Sequence, residues 1–264
     1  MRRYENPFSE RQKRHEIKTL LTYPQYLELR QRALPLLTPD KHMSEPEGYR
    51  VQSVYLDDAF CSAYREKDGG VQHRNKFRIR AYNGSDRFLV LENKEKIDDR
   101  IMKTSLQITR ADYDAVLSGD FSPLLAYDHP LARQVCALHA ARLLRPAVIV
   151  EYEREAYVHP LSMVRITFDK RIAAGTNSLD MFDPRLVTRP IFDRQEVVLE
   201  IKYGEYFPLY LKQLLQNNGR KLAISKFVQC CDKLKAQYII LTPHGPSADL
   251  RQNGASHERL HNGN

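Results

Sequence analysis

Residues 76–83 read KFRIRAYN, with Phe77, Ile79 and Ala81 at alternate positions and Lys76, Arg78 and Arg80 between them. Side chains two apart on a β-strand project from the same face. One face of this strand is therefore apolar and the other carries three cations. In a lone amphipathic strand such a row would simply face water. The pattern constrains the fold because other strands repeat it.

In RFLVLENKEK (87–96) the face of Phe88 and Val90 continues as Glu92, Lys94 and Lys96. In EVVLEIKYG (196–204) both faces begin apolar, as in a strand covered on both sides, and one of them runs Val198, Glu200, Lys202. MVRITFDKRI (163–172) sets Arg165, Thr167 and Asp169 opposite Val164, Ile166 and Phe168; PAVIVEYERE ends with Arg154 on the face of Val148, Val150 and Tyr152; EIKTLLT (16–22) opens with Glu16 and Lys18 on one face. Independent solvated faces would rarely spread Arg and Lys over so many strands with so few acids.

The remaining strand candidates are 49–58 and 99–108, with 76–83 running to the turn former Asn83-Gly84 and 146–158 completing the PAVIVEYERE strand. Helical periodicity appears at 24–37, 109–120, 129–144, 208–219 and 225–236; Thr109 with Asp112, and Ser225, read as N-caps and Gly219 as a stop. The fold class is α+β: a closed antiparallel β-tunnel of about eight strands with helices packed outside. A chain of 264 residues with 42% hydrophobic side chains can bury the core this needs. The domain is expected over 1–242, with a polar tail at 243–264 and a polar first dozen residues.

If the charged faces point inward, roughly eight cations share one lumen. At an effective dielectric of about 20, a like-charge pair ~4 Å apart costs about 4 kcal/mol. Such a lumen is wet and built for a polyanion, whose phosphates accept charge-assisted and bidentate bonds. The formal net charge of +8 agrees. Inward cations on many strands do not form the external basic stripe with aromatic platforms that nucleic acid requires. The four cysteines show no zinc-like spacing and the histidines no paired spacing, so neither type is assigned a catalytic role. The N-terminus lacks an apolar signal region and no run of 18 apolar residues occurs, from which a soluble, cytoplasmic protein is expected.

The ordered set EIK (16–18), FRIR (77–80), LENK (91–94), Lys103, EYER (151–154), VRITFD (164–169), LEIK (199–202) and ISKF (224–227) resembles the VTC (vacuolar transporter chaperone) catalytic domain, the polyphosphate polymerase branch of the triphosphate tunnel metalloenzymes, over roughly residues 8–240. The first strand carries only EIK, so the ExExK signature of the CYTH relatives, thiamine triphosphatases and some adenylyl cyclases among them, is incomplete. The resemblance implies an eight-stranded tunnel that binds triphosphate and a divalent cation, Mn²⁺ or Mg²⁺, and moves the γ-phosphoryl of ATP onto polyphosphate. Carried over by position, Lys18, Arg78, Arg80, Lys94, Lys103, Arg154, Arg165, Lys202, Ser225 and Lys226 bind phosphate, Glu200 binds the metal, and Arg78, Arg80, Glu200 and Lys226 are the catalytic set. Glu16 and Glu92 have weaker claims on the metal and are expected to orient the cations, and the bland alternative for Glu200 is that it only pairs with a tunnel arginine. The SPX domain and membrane segment of the eukaryotic arrangement are not found in this sequence, which leaves room for a separate membrane partner. The same tunnel could hydrolyse tripolyphosphate or a nucleoside triphosphate, or bind polyanions without turnover.

Overall fold

The computed structural model describes residues 15–43, 45–97, 100–192, 195–221 and 225–235. The expected polar N-terminus and the tail at 243–264 lie outside these. The strands are β1 (His15–Thr22), β2 (Thr38–Pro39), β3 (Tyr49–Asp57), β4 (His73–Tyr82), β5 (Ser85–Ile97), β6 (Arg100–Ile108), β7 (Arg145–Val158), β8 (Arg165–Gly175), β9 (Thr188–Pro190), β10 (Glu196–Tyr203) and β11 (Arg220–Lys221). The helices are α1 (Tyr23–Ala33), α2 (Ser62–Asp68), α3 (Arg110–Ser118), α4 (Pro130–Arg142), α5 (Leu209–Leu214) and α6 (Lys226–Lys235).

Local chemistry sets several boundaries. The β4–β5 turn places Asn83 at φ 51° and Gly84 at φ 68°, the left-handed pair of a two-residue hairpin. Helices α1 and α3 begin at capping boxes, Thr22 with Gln25 and Thr109 with Asp112. Helix α1 stops short of the expected 24–37 because Pro35 withdraws a donor and the chain tightens into a 3₁₀ turn at Leu34–Leu36. Helix α5 ends at Leu214, so Gly219 is not its stop. A Cβ at Gly219 would lie 2.5 Å from Thr19 Cγ2 and 2.7 Å from the Leu20 carbonyl; the glycine lets the chain press against β1.

All strands join one antiparallel sheet in the order β11-β1-β10-β8-β7-β3-β4-β5-β6, with β2 on β7 and β9 on β8. The α+β class and the large antiparallel sheet agree with the sequence reading; closure does not. Among the described residues no ladder joins β6 to β1 or β11. Yet Lys94 of β5 reaches Glu16 of β1 at 3.4 Å, although these strands stand near opposite ends of the order. The sheet therefore curls into a trough whose seam is bridged by side chains.

Its outer surface is covered twice. Phe77, Ile79, Leu89 and Leu91 pack with Tyr113, Val116, Leu131 and Val135 of α3 and α4, and Leu21, Ile166, Phe168 and Leu199 with Tyr26 and Leu29 of α1. Each such buried aliphatic side chain contributes about 1.5–3 kcal/mol. Inside the curl, Phe227, Cys230 and Leu234 of α6 pack on Tyr55, Val148, Val150 and Val198. One end of the trough is thus apolar and filled by α6.

Gly48 (φ 97°) lies so close to β7 that a Cβ would sit 2.2 Å from the Arg154 carbonyl oxygen. Gly48→Ala is expected to cost about 1–3 kcal/mol, read as a lower urea midpoint at unchanged m-value.

Candidate functional site

Cross-strand register brings the predicted residues to one face. Glu16 stands opposite Lys202 and Lys18 opposite Glu200; on the next strand Lys202 faces Arg165 and Glu200 faces Thr167. Asp169 then pairs with Arg154, Tyr55 with Arg78 and Ser53 with Arg80, Arg78 with Glu92 and Lys76 with Lys94, and Lys94 with Lys103. Phe77, Ile79 and Ala81 meanwhile belong to the outer core. The Lys76, Arg78, Arg80 row is the inner wall of the curl.

The cations gather around carboxylates. Glu92, 2% exposed, accepts from Arg78 Nε at 2.7 Å, contacts Lys103, and lies 3.7 Å from Arg80. Asp169, with no exposed surface, accepts from Arg154 Nε and a terminal guanidinium nitrogen at 2.7 and 2.8 Å and from Lys226 Nζ at 2.6 Å. Glu200 takes Lys202 at 2.5 Å and Lys18 at 3.8 Å; Lys18 also contacts Glu16, which takes Lys94. Three groupings thus line the trough, each with cations in excess of its carboxylates.

Aromatic rings complete the wall. The Tyr55 hydroxyl accepts from Arg78 at 2.9 Å while its ring stacks on Phe227, centroids 5.1 Å apart. Lys226 lies over Tyr152, 5.0 Å from the centroid, a cation–π contact. Ser225 Oγ accepts from Lys76 at 2.7 Å. Arg165 keeps its place near Lys202, but its Nε donates to Asp40 outside the strands at 3.0 Å.

Charge balance shifts the titrations. Burial and Glu200 push the Glu16 carboxyl up, but Lys94, Lys18 and Lys202 outweigh them and hold it at about 2. Burial likewise raises Asp169, and Arg154 and Lys226 bring it to about 2. Burial opposes the charged forms of Glu92 and Glu200 too, yet Arg78 and Arg80 on one, Lys202 and Lys18 on the other, hold both well below the usual range. These depressed values stabilise the fold above the ordinary carboxylate range near pH 4, and that stability is lost as pH falls toward about 2. Lys94 moves the other way: desolvation in the trough, with Lys202 and Lys18 nearby, lowers it to about 8 despite Glu16.

The structure thus gathers Lys18, Arg78, Arg80, Lys94, Lys103, Arg154, Lys202, Glu200, Ser225 and Lys226 in one trough, with Arg165 near Lys202 and turned toward Asp40. The sequence reading named neither Asp169 nor Lys76 among the site residues. Asp169 had been placed on the face of Arg165, and its signal was an acid on a charged strand face; Lys76 was the first cation of KFRIR.

The VTC domain family model matches residues 13–235. No curated protein matches the sequence. Among solved structures, a candidate adenylyl cyclase from Hippeastrum, described as having a dominant triphosphatase activity, is 13% identical, with a TM-score of 0.49, covering 87% of this chain and 98% of its own. A candidate adenylate cyclase from Bacillus halodurans is 10% identical, with a TM-score of 0.44, covering 89% and 94% respectively.

A bound polyanion favours protonated Lys94, so binding above pH 8 takes up a proton and weakens as pH rises. Calorimetry of tripolyphosphate binding at pH 8.5, run in two buffers of different ionisation enthalpy, should show that uptake, and Lys94→Met should reduce it.

Proposed function

This chain belongs to the VTC domain family, and we propose that it is a polyphosphate polymerase, transferring the γ-phosphoryl of ATP to a growing polyphosphate chain within the cationic trough. The observation that carries this reading is the single inner face on which Arg78, Arg80, Lys94, Lys103, Arg154, Lys202 and Lys226 converge on fewer carboxylates. The excess positive charge spans several strands, which suits a chain of phosphates better than a single one.

Phosphoryl transfer asks mainly for positioning and for neutralisation of charge on the transferring group. Arg78 and Arg80 leave one strand about 6.6–6.8 Å apart and grip successive phosphates. Lys18, Lys94, Lys103 and Lys202 act as point charges from other walls, and Arg154 and Arg165 as forked donors. An oxygen of the acceptor's terminal phosphate attacks the γ-phosphorus, the bond from that phosphorus to the β–γ bridging oxygen breaks, and ADP leaves. Lys226, beside Ser225 at the start of α6, faces the transferring phosphoryl group and offsets its charge.

The donor set fits a hard divalent cation. Glu200 and Glu16 offer carboxylate oxygens on either side of Lys18, and Oγ1 of Thr167, the cross-strand neighbour of Glu200, has no hydrogen-bond partner among the described residues. No group of three or more His, Cys, Asp or Glu suited to a metal occurs among the described residues, so Mn²⁺ or Mg²⁺ at Glu200 would share its other positions with substrate oxygens and water. Such an ion would further neutralise the transferring phosphoryl group. Among the described residues no helix is long and apolar enough to cross a membrane. A cytoplasmic site, with ATP supplied there and any membrane partner a separate protein, belongs to the proposal.

Purified protein given ATP and Mn²⁺ or Mg²⁺ should yield ADP and phosphate chains. ADP with an equal amount of free phosphate and no chains would assign it as a triphosphatase, and absence of turnover as a polyanion-binding module. Arg78→Ala should slow turnover by about 100-fold or more in a protein that still melts cooperatively. Glu200→Gln should abolish metal-dependent turnover while leaving metal-free tripolyphosphate binding intact or stronger, since one negative charge leaves the trough. An unchanged metal-activation midpoint would remove Glu200 from the metal site.

A further inference from the structure

Asp169 is the most enclosed carboxylate of the trough, with no exposed surface, and three donors from two separate parts of the chain converge on it. Arg154 approaches from the neighbouring strand β7 with a two-pronged contact at 2.7 and 2.8 Å. Lys226 approaches from α6 at 2.6 Å. Arg154 and Lys226 both also lie over the Tyr152 ring, at 5.1 and 5.0 Å from its centroid. Neither cation is free to swing: each is held on one side by Asp169 and on another by the ring.

The contact with Lys226 does what packing alone does not. Helix α6 rests on the sheet through Phe227, Cys230 and Leu234, an apolar contact without directional bonds. A buried, charge-assisted bond between the first residue of α6 and β8 supplies one.

We propose that Asp169 is a positioning residue of the phosphoryl-transfer site, fixing Arg154 and Lys226, and through Lys226 the start of α6, in the orientation from which both meet the polyanion. This rests on the reading of the trough as a phosphate site, not on the choice between polymerase and triphosphatase. Because both Asp169 oxygens are occupied by N–H donors, its role is separate from metal ligation. It also predicts a dissociation of binding from turnover. Removing the charge frees two cations toward an incoming anion, so binding strengthens, while the loss of aim slows the chemistry.

The test compares wild type with Asp169→Asn, Lys226→Met and the double variant, each checked by thermal melting. Tripolyphosphate affinity without metal and Mn²⁺ affinity are measured by calorimetry, and turnover with ATP as ADP release. Asp169→Asn should bind tripolyphosphate as tightly as wild type or more so, keep its Mn²⁺ affinity, and lose kcat by roughly 100-fold, the scale of a displaced catalytic group. In the Lys226→Met background the same substitution should cost much less, since the residue it orients is already gone. Full additivity of the two losses, weakened tripolyphosphate binding in a folded Asp169→Asn protein, or loss of Mn²⁺ binding would each overturn the proposal. Should Asp169→Asn not fold, Asp169→Glu decides. It keeps the charge and shifts the carboxylate by one methylene, so near-normal binding with a clear fall in kcat supports positioning, and wild-type kcat overturns it. If no variant, wild type included, turns over ATP while tripolyphosphate still binds, the enzymatic reading fails; non-additivity in tripolyphosphate affinity between the Asp169 and Lys226 substitutions then supports the coupling, and additive affinities overturn it.

Discussion

Lys76, Lys94 and Lys103 stand directly opposite one another across three adjacent strands, and like charges so placed are destabilising. At ~4 Å and an effective dielectric of about 20 each such pair would cost about 4 kcal/mol. The three ammonium groups diverge. Lys76 donates to Ser225, Lys94 to Glu16, and Lys103 pairs with Glu92. Two of those partners lie far off in sequence: Glu16 belongs to β1 and Ser225 to the start of α6. The row of lysines is therefore tolerable only if the sheet curls far enough to bring β1 to β5 and if α6 enters the curl. The charge pattern and the architecture impose the same geometry.

The outer cores hold the curl that electrostatics requires. Helices α3 and α4 pack on β4 and β5, and α1 packs on β8 and β10, so the inner cations are presented by strands fixed from behind. Inside, α6 fills one end of the trough: its apolar face sits on Val148, Val150 and Val198 while Lys226 meets Asp169. A closed ladder is not needed for this. The Glu16–Lys94 contact bridges β1 and β5 without one.

Alternation made the inner and outer faces legible before the structure: Phe77, Ile79 and Ala81 outside, Arg78 and Arg80 inside, and Glu200 with Lys202 inward from a strand covered on both sides. The partners were not legible. Asp169 lies fifteen residues from Arg154 and far from Lys226 in sequence, and only register and the placement of α6 join them. The same is true of Glu92, whose cations arrive from β4 and β6. Helix α2, SAYREKD, was missed because seven residues give too little apolar periodicity to register. Gly219 was read as a helix stop because a glycine after an apolar run commonly is one; its true constraint is the close approach to Thr19 and Leu20, which sequence alone does not reveal. Closure was not legible for a similar reason, since alternation reports which face a residue occupies and not whether the edge strands meet; among the described residues no ladder joins them.

The carboxylates also bear on which anions such a trough can accept. Every cation grouping already has an internal partner, so a single orthophosphate competes with a tethered carboxylate at high effective concentration and gains little. Under the proposed reading, a chain of phosphates would reach the Glu92, Asp169 and Glu200 groupings together. Once one end is bound, each further contact is intramolecular, and the excess of cations over carboxylates at each grouping provides the favourable balance. Under the proposed reading, the acids that balance the trough's cations also set its preference for long anions over short ones.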